Sequence, residues 1–106
     1  MKLSDIKTID VHGKEWFDRV NGNSYNSSRI TINYGMADQT LITTPFQYGY
    51  GDFYMQAASQ AIKERFNHEA KGYIPLWQFC QDNGIVLRYQ KQERCLKREV
   101  VTHGNP

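Results

Sequence analysis

The strongest constraint on this chain is an apolar stripe that repeats at helical spacing. Its members, each four residues after the last, are Tyr54, Ala58, Ile62 and Phe66. Residues with this spacing share one face of an α-helix, so other parts of the chain must cover that face. The helix is expected to begin at Asp52, whose carboxylate suits a helix N-terminus, and to run to about Phe66 or Glu69.

Alternation between apolar and polar residues indicates where the covering sheet lies. In the segment Arg29–Tyr34, the side chains expected on one face of a strand are Ile30, Ile32 and Tyr34. The turn-forming residues Gly35–Asp38 and the β-branched segment Gln39–Thr44 follow, which predicts a β-hairpin. Pro45 has no amide hydrogen, so the second strand should end there or lie at a sheet edge.

The segments before this hairpin are predicted from local signals. Lys7–His12 is a short β-prone segment, and Gly13–Val20 is predicted as a short helix. The helix is favoured because three apolar side chains would share a face: Trp16, Phe17 and Val20. Asn21–Ser28 is polar and rich in turn-forming residues, and we expect a solvated connection there.

The second half of the chain is predicted in the same way. A helix should begin at Pro75 and end at Gly84, because proline suits a first helical position and glycine a helix end. A strand at Ile85–Tyr89 follows directly. Residues 90–101 fit either a helix or a strand, and we favour a second hairpin because the preceding strand needs a partner.

Together these elements predict one α+β domain over residues 1–106, with a mostly antiparallel sheet and helices on one face. The predicted order is β-α-β-β-α-α-β-β. Residues 1–5 and 104–106 are expected to fray. The sequence shows neither an apolar stretch long enough to span a membrane nor a signal peptide, so we expect a soluble protein that makes no membrane contact.

The net charge of +2 is spread unevenly. Residues 85–106 contain five cations and two carboxylates. The cations are Arg88, Lys91, Arg94, Lys97 and Arg98. On a strand, Arg88, Arg94 and Arg98 would line one ridge, whereas on a helix Lys91, Arg94 and Arg98 would do so. The segment is interpreted either as a solvated surface or as a contact for phosphates or an acidic protein.

The stretch Pro45–Tyr54 combines five aromatic residues with two glycines between a strand and a helix. One interpretation is a strand-to-helix turn whose rings cover the core. Another is a partner-binding loop, because tyrosines offer a large contact area with few rotatable bonds. A third is base stacking. The expected contact residues are Gln47, Tyr48, Tyr50 and Asp52.

Enzymatic chemistry finds little support in the sequence. Cys80 lies on the apolar side of its helix and is expected to be a buried thiol. Cys95, between Arg94 and Lys97, is a candidate nucleophile without a histidine near it in sequence. The histidines and cysteines lack the spacing of a zinc site. We therefore expect no enzyme, no metal and no cofactor.

Two blocks of the sequence resemble a group of short phage and prophage proteins. They are Lys14–Tyr25 and Pro45–Asp52, and a similar Leu96–Val100 stands near the end. The resemblance covers about Lys7 to Phe66. It implies a small accessory protein in the cytoplasm of an infected bacterium, and such proteins often inhibit host restriction or CRISPR complexes.

We therefore expect a phage-type accessory protein that binds a host protein or nucleoprotein complex stoichiometrically, such as an anti-CRISPR or anti-restriction inhibitor. The Tyr-rich loop and the basic residues 88–98 are its expected contacts. The alternative is a small nucleic-acid-binding protein that uses the same two segments.

Overall fold

The computed structural model of the chain describes residues 2–66 and 75–105. Its helices and strands, in chain order, are β1 (Thr8–Asp18), β2 (Asn23–Ile32), β3 (Thr40–Tyr48), α1 (Phe53–Phe66), α2 (Leu76–Asp82), β4 (Val86–Gln92) and α3 (Lys97–His103). The strands lie side by side in the order β3-β2-β1-β4. β2 pairs antiparallel with both of its neighbours, whereas β4 runs parallel to β1. The predicted α+β class is therefore confirmed.

β1 continues through most of Gly13–Val20, the segment that we predicted as a helix, so that prediction is wrong. The residues up to Asp18 pair with β2 in an unbroken antiparallel ladder. Gly13 lies under the ring of Tyr54, where a Cβ atom would be 2.6 Å from a ring carbon. Contacts from distant parts of the chain thus outweigh the local helical spacing.

The polar stretch Asn21–Ser28 contributes mainly to β2 rather than to a solvated loop. The turn itself is short, and the carboxylate of Asp18 accepts hydrogen bonds from the backbone amides of Val20 (3.0 Å) and Asn21 (3.3 Å). The first half of β2 then buries three polar residues: Asn26, Ser27 and Ser28. The expectation of a solvated connection is therefore wrong from Asn23 onward.

The hairpin that we favoured for residues 90–101 is not formed. β4 ends at Gln92 and Lys97–His103 is helical, so the strand after α2 pairs with β1. A local contact favours the helix, because the backbone amide of Leu96 donates to the Glu99 carboxylate at 3.0 Å. The element order is therefore β-β-β-α-α-β-α over the described residues.

The apolar stripe of α1 packs on the sheet as predicted. Tyr54, Ala58 and Ile62 are at most 5% exposed. They share one buried cluster with residues of β1, β2 and α2, among them Ile9, Val11, Ile30, Ile32, Leu76 and Cys80. Phe66 packs at the margin of this cluster, and Glu69 lies outside the described residues. Cys80 is buried, as predicted from sequence, and burial raises the pKa of its thiol to about 11.

α3 covers the opposite face of the sheet, so the prediction that the helices lie on one face is wrong. The Ser27 hydroxyl donates to the Val100 carbonyl (2.6 Å), and Arg29 Nε donates to the His103 carbonyl (3.0 Å). Side chains alternate between the two faces of a strand, so Ser27 and Arg29 lie on the face of β2 opposite to Ile30, which packs in the buried cluster with α1. The small Ser27 side chain allows this close approach.

Both ends of the described chain make local contacts, and the expectation that residues 1–5 and 104–106 fray stays a prediction. Leu3–Asp5 forms a 3₁₀ turn in which the backbone amide of Lys2 donates to the Asp5 carboxylate at 2.7 Å. Gly104 is buried after α3, and a Cβ atom there would lie 2.6 Å from the Thr44 carbonyl oxygen.

Candidate functional site

The predicted tyrosine loop links β3 to α1 and is held firmly to the sheet. The Asn26 side-chain amide donates to the Gly49 carbonyl (3.1 Å), and the Lys91 ammonium donates to the Gly51 carbonyl (3.1 Å). A Cβ atom at Gly49 would overlap the ring of Phe53, so only glycine fits at this position of the turn. The loop therefore presents its exposed side chains from a fixed backbone.

The four contact residues predicted in this region do not form one surface. Tyr48 is 59% exposed and lies against Tyr25 on the α3 side of the sheet, with the ring centroids 6.0 Å apart. Tyr50 is 71% exposed in the loop itself. Gln47 lines a groove between β3 and α1, whereas Asp52 lines a separate depression beside α2.

The five cations of residues 88–98 do not form either of the predicted ridges, because the strand ends at Gln92 and the helix starts at Lys97. Arg88 forms two hydrogen bonds to the Asp10 carboxylate, at 2.6 and 3.0 Å. The Lys91 side chain is only 13% exposed and pairs with Glu15 (3.3 Å) and Glu93 (3.4 Å). Both cations therefore have partners within their own chain.

The other three cations of the segment lie at or next to one end of the sheet. Within residues 2–66 and 75–105, no ion pair is formed by Arg94, Lys97 or Arg98. Lys97 Nζ is 5.5 Å from the centroid of the Trp16 ring and 6.0 Å from that of Phe46. An ammonium over aromatic faces at this range is a cation–π contact.

These rings form a row across three strands, which we name the aromatic row: Trp16, Tyr25, Phe46 and Tyr48. The strand register builds it, because Trp16 pairs with Tyr25 and Tyr25 pairs with Tyr48. Tyr25 stacks on Phe46 with ring centroids 5.0 Å apart and planes 5° apart. The row is a rigid apolar surface with Lys97 over one end.

A groove of about 690 Å³ borders the aromatic row at Trp16, and we name it the end groove. Its walls are the β1–β2 hairpin and the turn between β4 and α3. Three apolar side chains at the groove are well exposed: Phe17 (52%), Val20 (91%) and Leu96 (52%). Arg19 and Arg94 are also exposed and line the same groove. The carboxylates of Glu15, Asp18 and Glu93 also line it, so the end groove combines apolar surface with charges of both signs.

Arg94 holds a strained backbone conformation at this groove. Its φ is 59°, in the left-handed region that costs an L-residue about 1–2 kcal/mol. Asn33 is the other non-glycine residue with positive φ in the described part of the chain, and it is buried in a network of side-chain hydrogen bonds. Among the described residues, no such network surrounds the Arg94 side chain, and the turn is held instead at the buried Cys95, whose amide donates to the Glu15 carbonyl at 3.0 Å. Strain of this kind is concentrated at functional sites.

Sequence reasoning identified Tyr48, Arg94 and Lys97 but missed the residues that join them. It placed Trp16 and Phe17 on a helix and Tyr25 in a solvated loop, which hid their proximity. The usable signal was their residue type, because aromatic residues are enriched in strands and pair across them. Val20 and Leu96 carried no signal that distinguishes them from other surface residues.

Two histidines clamp α3 to the sheet. His103 is buried, and its Nε2 donates to the His12 carbonyl at 2.7 Å. The two rings meet edge to face with centroids 4.9 Å apart. Burial lowers both pKa values, and the neighbouring Lys14 and Arg29 charges lower them further. For His103 these effects outweigh the hydrogen bond to the His12 carbonyl, which by itself raises the pKa. The fold therefore favours the neutral form of both rings.

Acidification is expected to lower the free energy of unfolding, because it protonates His12 and His103. Because the folded pKa values lie below the ordinary value of about 6.5, the unfolded chain binds more protons as the pH falls through that range. Stability should be constant above pH of about 7 and should decrease below about 6.5, before carboxylates titrate. Thermal melting monitored by circular dichroism against pH tests this. His103→Gln, which keeps a donor for the His12 carbonyl, should show a flatter profile, and an unchanged wild-type melting temperature down to about pH 5 would contradict the prediction.

The described residues offer no cluster of three or more His, Cys, Asp or Glu side chains that could hold a metal ion. None of their helices is long and apolar enough to cross a membrane. Cys95 is buried, and its thiol donates to the Gln92 carbonyl at 3.4 Å. In comparisons with known proteins, no family model, curated protein or solved structure matches the chain.

Proposed function

We propose that this protein acts by stoichiometric binding to a host protein or nucleoprotein complex, and that the end groove receives the partner. The observation that carries the proposal is Arg94, a strained arginine at a groove that also exposes Phe17 and Leu96. A set of large exposed apolar side chains beside an exposed arginine is typical of protein interaction surfaces. The neighbouring aromatic row extends this surface.

The charges at the site define the chemistry of the partner. Arg19 and Arg94 lie at the groove, and Lys97 lies over the adjoining rings. The three carboxylates of the groove have partners within the chain, because Glu15 and Glu93 both pair with Lys91, and Asp18 accepts hydrogen bonds within the β1–β2 turn. The partner therefore presents one or more carboxylates next to an apolar side chain. No enzymatic step is part of this function.

The resemblance to phage and prophage accessory proteins supports an inhibitor of host machinery that acts in the bacterial cytoplasm. An anti-defence inhibitor, directed at a restriction or CRISPR complex, is the specific version to test first. Small proteins of that class act by occupying a surface of their target, which agrees with partner binding at the end groove and the aromatic row.

The test is capture of the partner with matched variants. The tagged full chain is incubated with bacterial lysate, and bound proteins are identified by mass spectrometry. Arg94→Glu should lose the partner, whereas Arg65→Glu, on an exposed helical position of α1, should retain it. Failure to recover any partner that depends on Arg94 at low salt would contradict the proposal.

Substitution of Arg94 by glycine separates binding from folding. Because glycine adopts positive φ freely, the free energy of unfolding should stay within about 1 kcal/mol of wild type. Partner affinity should fall about tenfold or more, as for a central interface arginine. Urea unfolding gives the first quantity and calorimetric titration with the captured partner gives the second. A loss of stability with unchanged affinity would show that Arg94 is structural.

Direct nucleic-acid binding is the second candidate. It is favoured by the exposed Tyr48 ring of the aromatic row, by Lys97 over two other rings of that row, and by the exposed Arg98 that follows Lys97. With Arg88 and Lys91 already paired, about three phosphate contacts remain, so the slope of log affinity against log salt is about −2 to −3. Salt-sensitive binding of labelled single-stranded DNA or RNA that Arg94→Glu abolishes would favour this function over protein binding.

A further inference from the structure

One long side of β4 has no partner strand among the residues that the structure describes. In the part of the chain that the structure describes, β4 pairs with β1 alone. The Val86 amide donates to the Lys7 carbonyl at 3.0 Å, and alternate residues of a parallel ladder repeat this pattern toward the same neighbour. The backbone amides and carbonyls that point away from β1 are therefore those of Leu87, Tyr89 and Lys91.

The two edges of the sheet differ in how they are protected. β3, at the opposite edge, contains Pro45 and a register shift opposite Asn26 and Ser28. The proline and the register shift both disfavour the pairing of another strand with β3. β4 has neither, and its seven residues keep a regular register with β1.

Charged side chains commonly guard an open edge, but those of β4 are directed elsewhere. Arg88 is bonded to Asp10, and Lys91 reaches Glu15 and the Gly51 carbonyl. The exposed side chains along the strand include Val86 (54%) and Tyr89 (61%). Trp77 of α2 is 59% exposed and lines a depression of about 420 Å³ together with Tyr89. The exposed residues of the edge are therefore mixed, with Val86 and Tyr89 beside the polar Arg88, Gln90 and Gln92, and both cations of the strand are paired with carboxylates of the same chain.

We propose that two copies of this chain pair antiparallel through β4, about a twofold axis at Tyr89. Tyr89 then lies opposite its own copy, and Leu87 lies opposite Lys91 of the other chain. Each of these positions has outward backbone groups, so the pairing forms about six hydrogen bonds. Arg88 lies opposite Gln90, so no like charges are directly opposed. Two four-stranded sheets thus join into one, and the pair of tyrosines contributes cross-strand ring contact.

The test is the mass of the full chain in solution by sedimentation equilibrium over a range of concentrations. We expect a reversible approach to twice the chain mass of 12.4 kDa. A wild-type chain that stays monomeric up to submillimolar concentration would overturn the proposal.

The position of the axis is tested by a charge swap. Tyr89→Lys and Tyr89→Glu should each be monomeric, because like charges meet at the axis, and an equimolar mixture should form a heterodimer. Tyr34→Lys and Tyr34→Glu, at an exposed position in the β2–β3 turn, should leave the wild-type dimer unchanged. Circular dichroism confirms folding of each variant. A dimer that persists in both single Tyr89 variants, or a mixture that stays monomeric, would contradict this pairing.

Discussion

Replacement of Ile62 by aspartate is expected to unfold the domain. Ile62 is 3% exposed and shares a buried cluster with Ile30 and Ile32 of β2. An aspartate there must either bury an unpaired charge or take up a proton, and it also removes apolar contacts. We expect a loss of more than about 4 kcal/mol, a large part of the stability of a domain of this size.

The matched control for this prediction is Gln56→Asp, which introduces the same side chain at an exposed position of α1. It should change the melting temperature little, because surface substitutions away from special contacts usually cost less than about 0.5 kcal/mol. Circular dichroism and thermal melting distinguish the two variants. A cooperative transition of Ile62→Asp near the wild-type temperature would mean that the buried face of α1 is assigned incorrectly.

Substitution of Asn33 by alanine should be the next most damaging change. The side-chain oxygen of Asn33 accepts hydrogen bonds from the amides of Lys7 (2.7 Å) and Thr8 (3.2 Å). Its nitrogen donates to the Asp5 carbonyl (3.0 Å) and the Asp38 carboxylate (3.1 Å). Alanine leaves these groups unpaired and must adopt a φ of 55°. We expect a loss of about 3–5 kcal/mol, measured by urea unfolding.

Asn33→Gly separates the two causes, because glycine removes the hydrogen bonds but adopts positive φ without strain. It should be destabilised by less than Asn33→Ala, and the difference reports the cost of the backbone conformation. If Asn33→Ala unfolds at the same urea concentration as wild type, the hydrogen bonds of the Asn33 side chain do not contribute to the stability of the fold.

The sequence was informative where a residue's partners are its own neighbours. The stripe of α1 predicted its buried face, because helical geometry alone places those side chains together. The alternation after Arg29 located the second half of β2 and the following turn. Tyr34 marks the limit of that pattern, since β2 ends at Ile32 and leaves this ring 66% exposed.

The candidate site could be predicted only in fragments. Tyr48, Arg94 and Lys97 were named from local composition, but their surroundings depend on pairing across strands that are distant in sequence. The same reasoning named Arg88 and Lys91 as free contacts, and both are engaged by carboxylates of β1. The sequence shows that a side chain is positively charged, but it does not show whether a carboxylate distant in sequence forms an ion pair with it.

By itself, then, the sequence determined the α+β class, the buried face of α1 and the ends of the helix that Pro75 and Gly84 delimit. Only the tertiary structure decided that Gly13–Asp18 is a strand, that β4 runs beside β1 and that α3 lies across the opposite face. The reason is physical. Local spacing favours a helix in Gly13–Asp18 and fits either structure in residues 90–101, and the choice is made by backbone hydrogen bonds and close contacts with distant residues, such as Tyr54 over Gly13.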